Sequence, residues 1–365
     1  MATSPDSFRE RVRGSVRHVT TSDSYLRFRD QLRFYRQDLT ERLPHISGVA
    51  YLFISPFFLL FGLFLAFPVF YTLYLSFFDY QGVSDGTLFY VDLFVTRIEI
   101  GKIAELEFVG LDNYARLLSG ISFETSTVYV IPYISPSAEN LFWQSMFNTT
   151  YIFLFQVPIM ITLALALALA LNSTLLRFKG FFRTAIALPV AANIVAYSTI
   201  FLLLFNETGF LNTMLATVGI EGPAYLRSEF WSRWTIIGAV TWRWTGYNMI
   251  ILLAGLQTIP QHLYEAAEID GANRLQKLRY VTLPQLRPVL LFVVVLSTIG
   301  TFRLFAEPFV ITDGGPANST ITIVHYIYIV AFERFNLGVA SAATYVFIFI
   351  VSTLSILQIK YGGGD

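Results

Sequence analysis

The chain has 365 residues, 55% of them hydrophobic and 14% charged, with no net charge and a mean hydropathy of +0.57. A soluble domain carries about 25% charged residues, so this is the composition of an integral membrane protein, and the even balance excludes a global pull towards nucleic acid. The lack of cysteine excludes disulfides, thiol chemistry and zinc ribbons, and the four histidines (His18, His45, His262, His325) match no metal-ligand spacing.

Residues 1–47 hold nine arginines and no apolar run, so no signal peptide is expected there. Within this basic arm Phe28, Leu32, Tyr35 and Leu39 fall on one helical stripe, flanked by Arg27, Arg29, Arg33 and Arg36. Two readings fit: an interfacial helix on anionic lipid, or a solvated arm that fixes topology.

Six apolar stretches follow, 49–77, 142–171, 182–205, 234–256, 289–310 and 337–357. Each reaches the ~20 residues that a bilayer core requires of a helix. The two-residue alternation of a membrane barrel is missing, which leaves helices as the way to satisfy the backbone in lipid. The expected organisation is a first span at 48–78, an extracytoplasmic loop or cap at 79–141, a five-helix core at 142–360 and a tail at 361–365. Lys and Arg set the orientation. Seventeen lie on the side of both termini and six on the other, whose first loop holds nine acids. Both termini and the loop after the fourth stretch are therefore expected in the cytoplasm of a multi-pass protein of the inner or plasma membrane.

Nothing in the chain resembles catalytic machinery. A P-loop needs Gly-Lys followed by Ser or Thr, and the only lysine that follows a glycine, Lys102, precedes Ile103. No Gly-x-Ser-x-Gly elbow or His-Glu-x-x-His motif is present.

The fourth stretch contains "TWRWTGYN" and the fifth "STIGTFRLFAEP". Ionisable residues at such depth point to function, which singles out Arg243, Arg303 and Glu307. Around them lie Trp242, Trp244, Tyr247, Asn248, Ser297, Thr301, Phe302 and Phe305. Aromatic faces with amide and hydroxyl groups suit a sugar, which has apolar C–H faces and hydroxyl edges. For each residue alone, ordinary helix packing competes with a place on a translocation path.

Between these stretches sits "EAAEIDGANRLQKLRYVTLP", Glu265–Pro284. Pro260 suits the first turn of a helix and Gly271 the position just past its end, which predicts three turns over 260–270. A second amphipathic stretch follows, which Leu283-Pro284 is expected to break. Ala266 and Ala267 allow another surface to approach the backbone closely, and Glu265, Glu268 and Asp270 rim that surface with charge.

The pattern Glu265-Ala266-Ala267, three residues, Gly271, nine residues, Val281-Thr282-Leu283-Pro284 resembles the EAA loop of binding-protein-dependent ABC importer permeases, with Val281 in place of isoleucine. "FVGLDNY" (108–114), "TDGGPANST" (312–320), "YIYIVAF" (326–332) and "GVASAATYVF" (338–347) are similar to further segments of the sugar-permease branch, which serves maltose, other oligosaccharides and glycerol-3-phosphate. The resemblance covers about 48–80 and 108–360.

The resemblance implies an all-α integral membrane protein of six transmembrane helices with a cytoplasmic coupling helix, in the loop at 259–288. It implies a transport subunit rather than an enzyme. Glu265, Ala266, Ala267, Asp270, Gly271, Leu283 and Pro284 would couple to an ATPase. The implied partners are a second permease, two ATP-binding cassette subunits that hold ATP and magnesium, an extracytoplasmic solute-binding protein, membrane lipid and a carbohydrate. This chain itself would need no cofactor and no nucleic acid. Gly314, Gly315 and Pro316 would lie on the binding-protein side. The alternatives are a secondary transporter, which needs no EAA loop, and an ABC importer permease for glycerol-3-phosphate or a peptide.

Overall fold

The computed structural model describes residues 48–80, 83–93, 96–103, 106–119, 123–128, 131–136, 141–173 and 177–362. The basic arm with its helical stripe lies outside the described residues, as does the end of the tail. The chain divides into two compact units, 1–70 and 71–365. The first holds α1 (Gly48–Phe61) and a π turn (Gly62–Ala66), and its boundary with the second falls within α2 (Phe67–Leu75). Its aromatic side chains pair along the helix, as in Phe57 with Phe61 at 6.2 Å between centroids.

The second unit begins at Tyr71, and the loop expected to form a cap follows the end of α2. The protein is mostly helical, and to its helices this loop adds three antiparallel strand pairs among the described residues. β1 (Phe78–Asp79) pairs with β4 (Glu107–Phe108) and closes the loop at its base. Between them β2 (Val83–Leu93) pairs with β3 (Thr96–Ile103). After α3 (Asp112–Leu118), β5 (Phe123–Val128) pairs with β6 (Ile131–Pro136). These strands are rich in Thr, Val, Ile, Tyr and Phe, the residues that fit a pleated surface. The "FVGLDNY" segment secures α3. Buried Asn113 donates to the carbonyls of Ser76 at 3.1 Å and Phe78 at 2.8 Å, and Tyr114 donates to Ser76 Oγ at 2.8 Å.

The core is built on α4 (Leu141–Asn172) and α8 (Glu229–Gln257). Ala164 and Ala168, four apart and fully buried, meet Met249, Leu252, Leu253 and Leu256. Small residues on one helix let two backbones approach where lipid offers no hydrophobic drive. A second cluster joins Phe142 and Met146 of α4 to Phe302 of α11 (Leu283–Phe302) and to Ala340 and Ala343 of α14 (Leu337–Gly362).

Five helices among the described residues are long and apolar enough to cross a membrane: Tyr51–Leu75, Leu141–Asn172, Ile194–Thr217, Arg274–Phe302 and Leu337–Gly362. α8 has the length for a crossing but carries Glu229, Arg233 and Arg243.

Three expected limits need correction. The stretch 182–205 is not one helix: α5 (Lys179–Ala187) passes into a 3-10 turn (Leu188–Ala191) and α6 (Ile194–Phe205) starts afresh, followed by the short α7 (Phe210–Thr217). Pro189 enforces the break, and Asn193 caps the new helix by accepting from the Val195 and Ala196 N–H groups. The stretch 289–310 stops at Phe302, and α12 (Ala306–Thr312) is separate. Leu283-Pro284 does not break the chain. Pro284 stands at the start of α11, directly after a π turn (Leu278–Thr282), whose wider bond register accommodates the missing donor within a continuous helix.

Candidate functional site

α9 (Gln261–Ile269) follows Pro260 and ends at Asp270 and Gly271. Gly271 has φ +74°, and the Ala272 N–H donates to the Ala267 carbonyl at 2.8 Å, the bond pattern of a helix closed by a left-handed residue. Asn273 and Gln276 then form a reciprocal cap that starts α10 (Arg274–Lys277). Glu265, Ala266, Asp270 and Gly271 are exposed and Ala267 is half-buried. Leu283 and Pro284 stand apart from them, at the base of α11. Ile269 at 87% and Leu275 at 72% exposed add two large apolar side chains to this free surface.

The five residues Trp244, Tyr247, Asn248, Ser297 and Thr301 come together around a cavity of about 100 Å³ between α4, α8 and α11. Gln156, Met160, Val240, Leu296, Gly300 and Leu304 complete its wall; Gln156 has no distinction in the sequence, since it lies alone in an apolar run. Thr301 Oγ1 donates to Gln156 Oε1 at 2.7 Å. Gln156 Nε2 and Asn248 Nδ2 each donate to the sulfur of Met160, at 3.1 and 3.3 Å, and Asn248 Nδ2 donates as well to the Trp244 carbonyl at 3.2 Å. A thioether is a weak acceptor, so these two buried amides hold donor capacity in reserve for a stronger one. Trp242 faces a separate apolar groove with Ile159, Ile186 and Pro189. Phe302 is buried against Phe153, 5.3 Å between centroids, and Phe305 stacks on Phe309 at 5.3 Å.

The three charges expected within the membrane part company. Glu307 is buried and accepts a hydrogen bond from the equally buried Tyr197. The Arg243 guanidinium stands 4.5 Å from the centroid of the same Tyr197 ring and 5.7 Å from Trp244, while its Nε and Nη1 are buried without a hydrogen-bond partner among the described residues. Arg303 is exposed at the end of α11.

Gly314, Gly315 and Pro316 belong to a pinned loop between α12 and α13 (Ile323–Tyr328). Gly314 is buried at φ +78°, and a Cβ there would stand 2.5 Å from the Ile321 side chain. Gly315 and Pro316 are half-buried, and Asp313, Ala317 and Asn318 form the exposed rim. Gln144 donates to the Ala317 carbonyl at 2.8 Å, and Asn148 to those of Asn318 and Ile321 at 2.8 and 3.0 Å. Arg233, 2% exposed, donates to the Ser319 carbonyl at 2.8 Å and to Asn148 Oδ1 at 3.0 Å. Sequence reading missed Arg233 because it falls one residue outside the apolar stretch. Beneath the loop, burial pushes the His325 imidazole down from its ordinary range, against the weaker upward pull of Asp313 and Glu333.

Residues 138–360 match the family model of the binding-protein-dependent transport system inner membrane component. The lactose transport system permease protein LacF of Rhizobium radiobacter is 40% identical over 324 residues, 87% of this chain and 94% of its own length. The arabinooligosaccharides transport system permease protein AraP of Halalkalibacterium halodurans is 35% identical over 263 residues, 71% of this chain and 77% of its own. A chain of the bacterial alginate ABC transporter, solved in complex with alginate pentasaccharide-bound periplasmic protein, has a TM-score of 0.64 and 20% identity over 85% of this chain and 92% of that one. That likeness identifies the fold.

Proposed function

The chain belongs to the binding-protein-dependent transport system inner membrane component family, and from that premise we propose that it takes a di- or oligosaccharide from a solute-binding protein and passes it through the cavity walled by Trp244, Tyr247, Asn248, Ser297 and Thr301. It is a multi-pass membrane transport component of a carbohydrate importer, not an enzyme. The observation that carries the substrate class is the pair of buried amides, Gln156 and Asn248, spent on a sulfur atom. A sugar hydroxyl entering the cavity accepts from them better than the thioether does, and Trp244 and Tyr247 offer faces for its C–H surface. At about 100 Å³ the cavity is small for a whole disaccharide, in line with passage rather than storage.

In this reading the surface of Glu265, Ala266, Ala267, Asp270 and Gly271 seats an ATPase subunit, while Leu283 and Pro284 join it to α11. ATP and magnesium belong to two such subunits. A second permease completes the pathway, and the loop carrying Gly314, Gly315 and Pro316 faces the binding protein through its Asp313–Asn318 rim. Both termini lie in the cytoplasm by the charge asymmetry. Shifting a two-state transporter from 1:99 to 99:1 takes about 5.5 kcal/mol. One exposed ion pair contributes about 0–1 kcal/mol, so coupling requires a rigid helix seated in a cleft.

The test is Asn248→Leu in the complex reconstituted with its binding protein, offered labelled lactose, maltose and an arabino-oligosaccharide. The variant should import the best of these at least tenfold more slowly, with its ATPase subunits retained. Wild-type import by Asn248→Leu and Gln156→Leu together would remove the cavity from the path.

A further inference from the structure

The covalent route from α9 to α11 passes two joints. The first is the left-handed turn at Gly271. The second is the π turn Leu278–Thr282, and helices bend at such turns. A displacement of α9 carried only along the backbone would be absorbed at these joints. Two side-chain links span them. Tyr264 Oη and Thr282 Oγ1 share a hydrogen bond at 3.1 Å, and Lys277 Nζ meets Glu268 Oε1 at 2.6 Å.

Their placement on α9 is one-sided. Tyr264 and Glu268 are four residues apart and share a face. Ala266, about 200° round the helix from Tyr264, lies on the exposed side. The helix thus turns one face outwards and is tied at two points on the other. The ties differ in weight. Glu268 is 65% exposed in its pair, and pairs so exposed contribute little. Thr282 is 3% exposed and is the residue that closes the π turn, directly before α11. A bond that lands there bypasses both joints.

We propose that the hydrogen bond between Tyr264 and Thr282 is the strut through which movement of the coupling helix reaches α11. The proposal rests on the reading of α9 as the ATPase-coupling helix and assigns Tyr264 and Thr282 as positioning residues for it. Lys277 steadies the strut from behind, since its carbonyl accepts from Thr282 Oγ1 at 3.3 Å.

The experiment uses the reconstituted complex with its binding protein and measures sugar imported per ATP hydrolysed, with whichever of labelled lactose, maltose or arabino-oligosaccharide it imports fastest. Tyr264→Phe and Thr282→Val each remove one side of the bond without changing shape. Each should lower the ratio about five- to tenfold, the scale that one hydrogen bond supplies. The double variant should be no worse than either single one, Thr282→Ser should restore the wild-type ratio, and the ATPase subunits should co-purify throughout. A wild-type ratio in Tyr264→Phe, additive losses in the double variant, or loss of the ATPase subunits from Tyr264→Phe would each overturn the strut. Ala266→Trp, on the opposite face, separates the two ideas. If it leaves import intact, the coupling reading itself fails; if it abolishes import while Tyr264→Phe does nothing, only the strut fails.

Discussion

Arg233 donates to the backbone of the loop at 312–320 and to Asn148, and its guanidinium lies 5.5 Å from the Tyr151 ring. A buried arginine with such partners is costly to remove, because each acceptor left unsatisfied costs about 1–3 kcal/mol. Arg233→Gln should therefore lower the melting temperature of the purified chain in detergent by several degrees and weaken binding-protein-stimulated ATP hydrolysis more than basal hydrolysis. Equal loss of both would show that the loop has no part in the response to binding protein. His325 gives a pH signature. It sits on α13, outside the candidate spans, and its folded pKa is lowered by burial. The stability it contributes is complete above its unfolded pKa, about 6.5, and is lost as pH falls from there through the lowered folded value. His325→Phe should flatten the fall in melting temperature between pH 7.5 and 5.5; an unchanged slope would assign the acid sensitivity elsewhere. At this scale residue type in an apolar setting singled out Arg243 and Glu307 in the sequence, and the fold brings both against Tyr197. The sequence was silent on Gln156 and Asn148, whose roles come from partners more than 140 positions away.

The helix α9, proposed above to couple to an ATPase, is the element that local chemistry made most legible. Pro260 before it, Gly271 after it and the alanines between them are signals read within twelve residues, and α9 forms there. The neighbouring break was misjudged because a π turn lets Pro284 follow without ending the helix, and single-sequence patterns carry no mark of a π turn. The interruption at Leu188–Ala191 escaped for a related reason: apolar composition continues through it while the backbone does not. Gly271→Pro should uncouple import, since proline fixes φ near −65° where the chain needs +74° and loses the N–H that donates to the Glu268 carbonyl. Import per ATP should fall at least tenfold with membrane insertion intact. Normal coupling in that variant would mean that the turn after α9 has no mechanical role.

Across the whole molecule, composition and six apolar stretches carried the membrane assignment, and the EAA spacing carried the family, which the relatives bear out. The strand pairs of the loop at 79–141 were illegible as a fold because short hairpins leave little periodicity. Orientation can be tested on a chain with no native cysteine. A cysteine at Ser84 should react with an impermeant thiol reagent in intact cells and one at Ser22 should not; the reverse pattern would invert the topology. The central claim, a permease driven by ATP and fed by a binding protein, is tested most directly by uptake of labelled di- or oligosaccharide into vesicles reconstituted with the complex. Uptake should require both ATP and binding protein and ignore an imposed proton or sodium gradient. Full uptake without either, following the ion gradient instead, would contradict it.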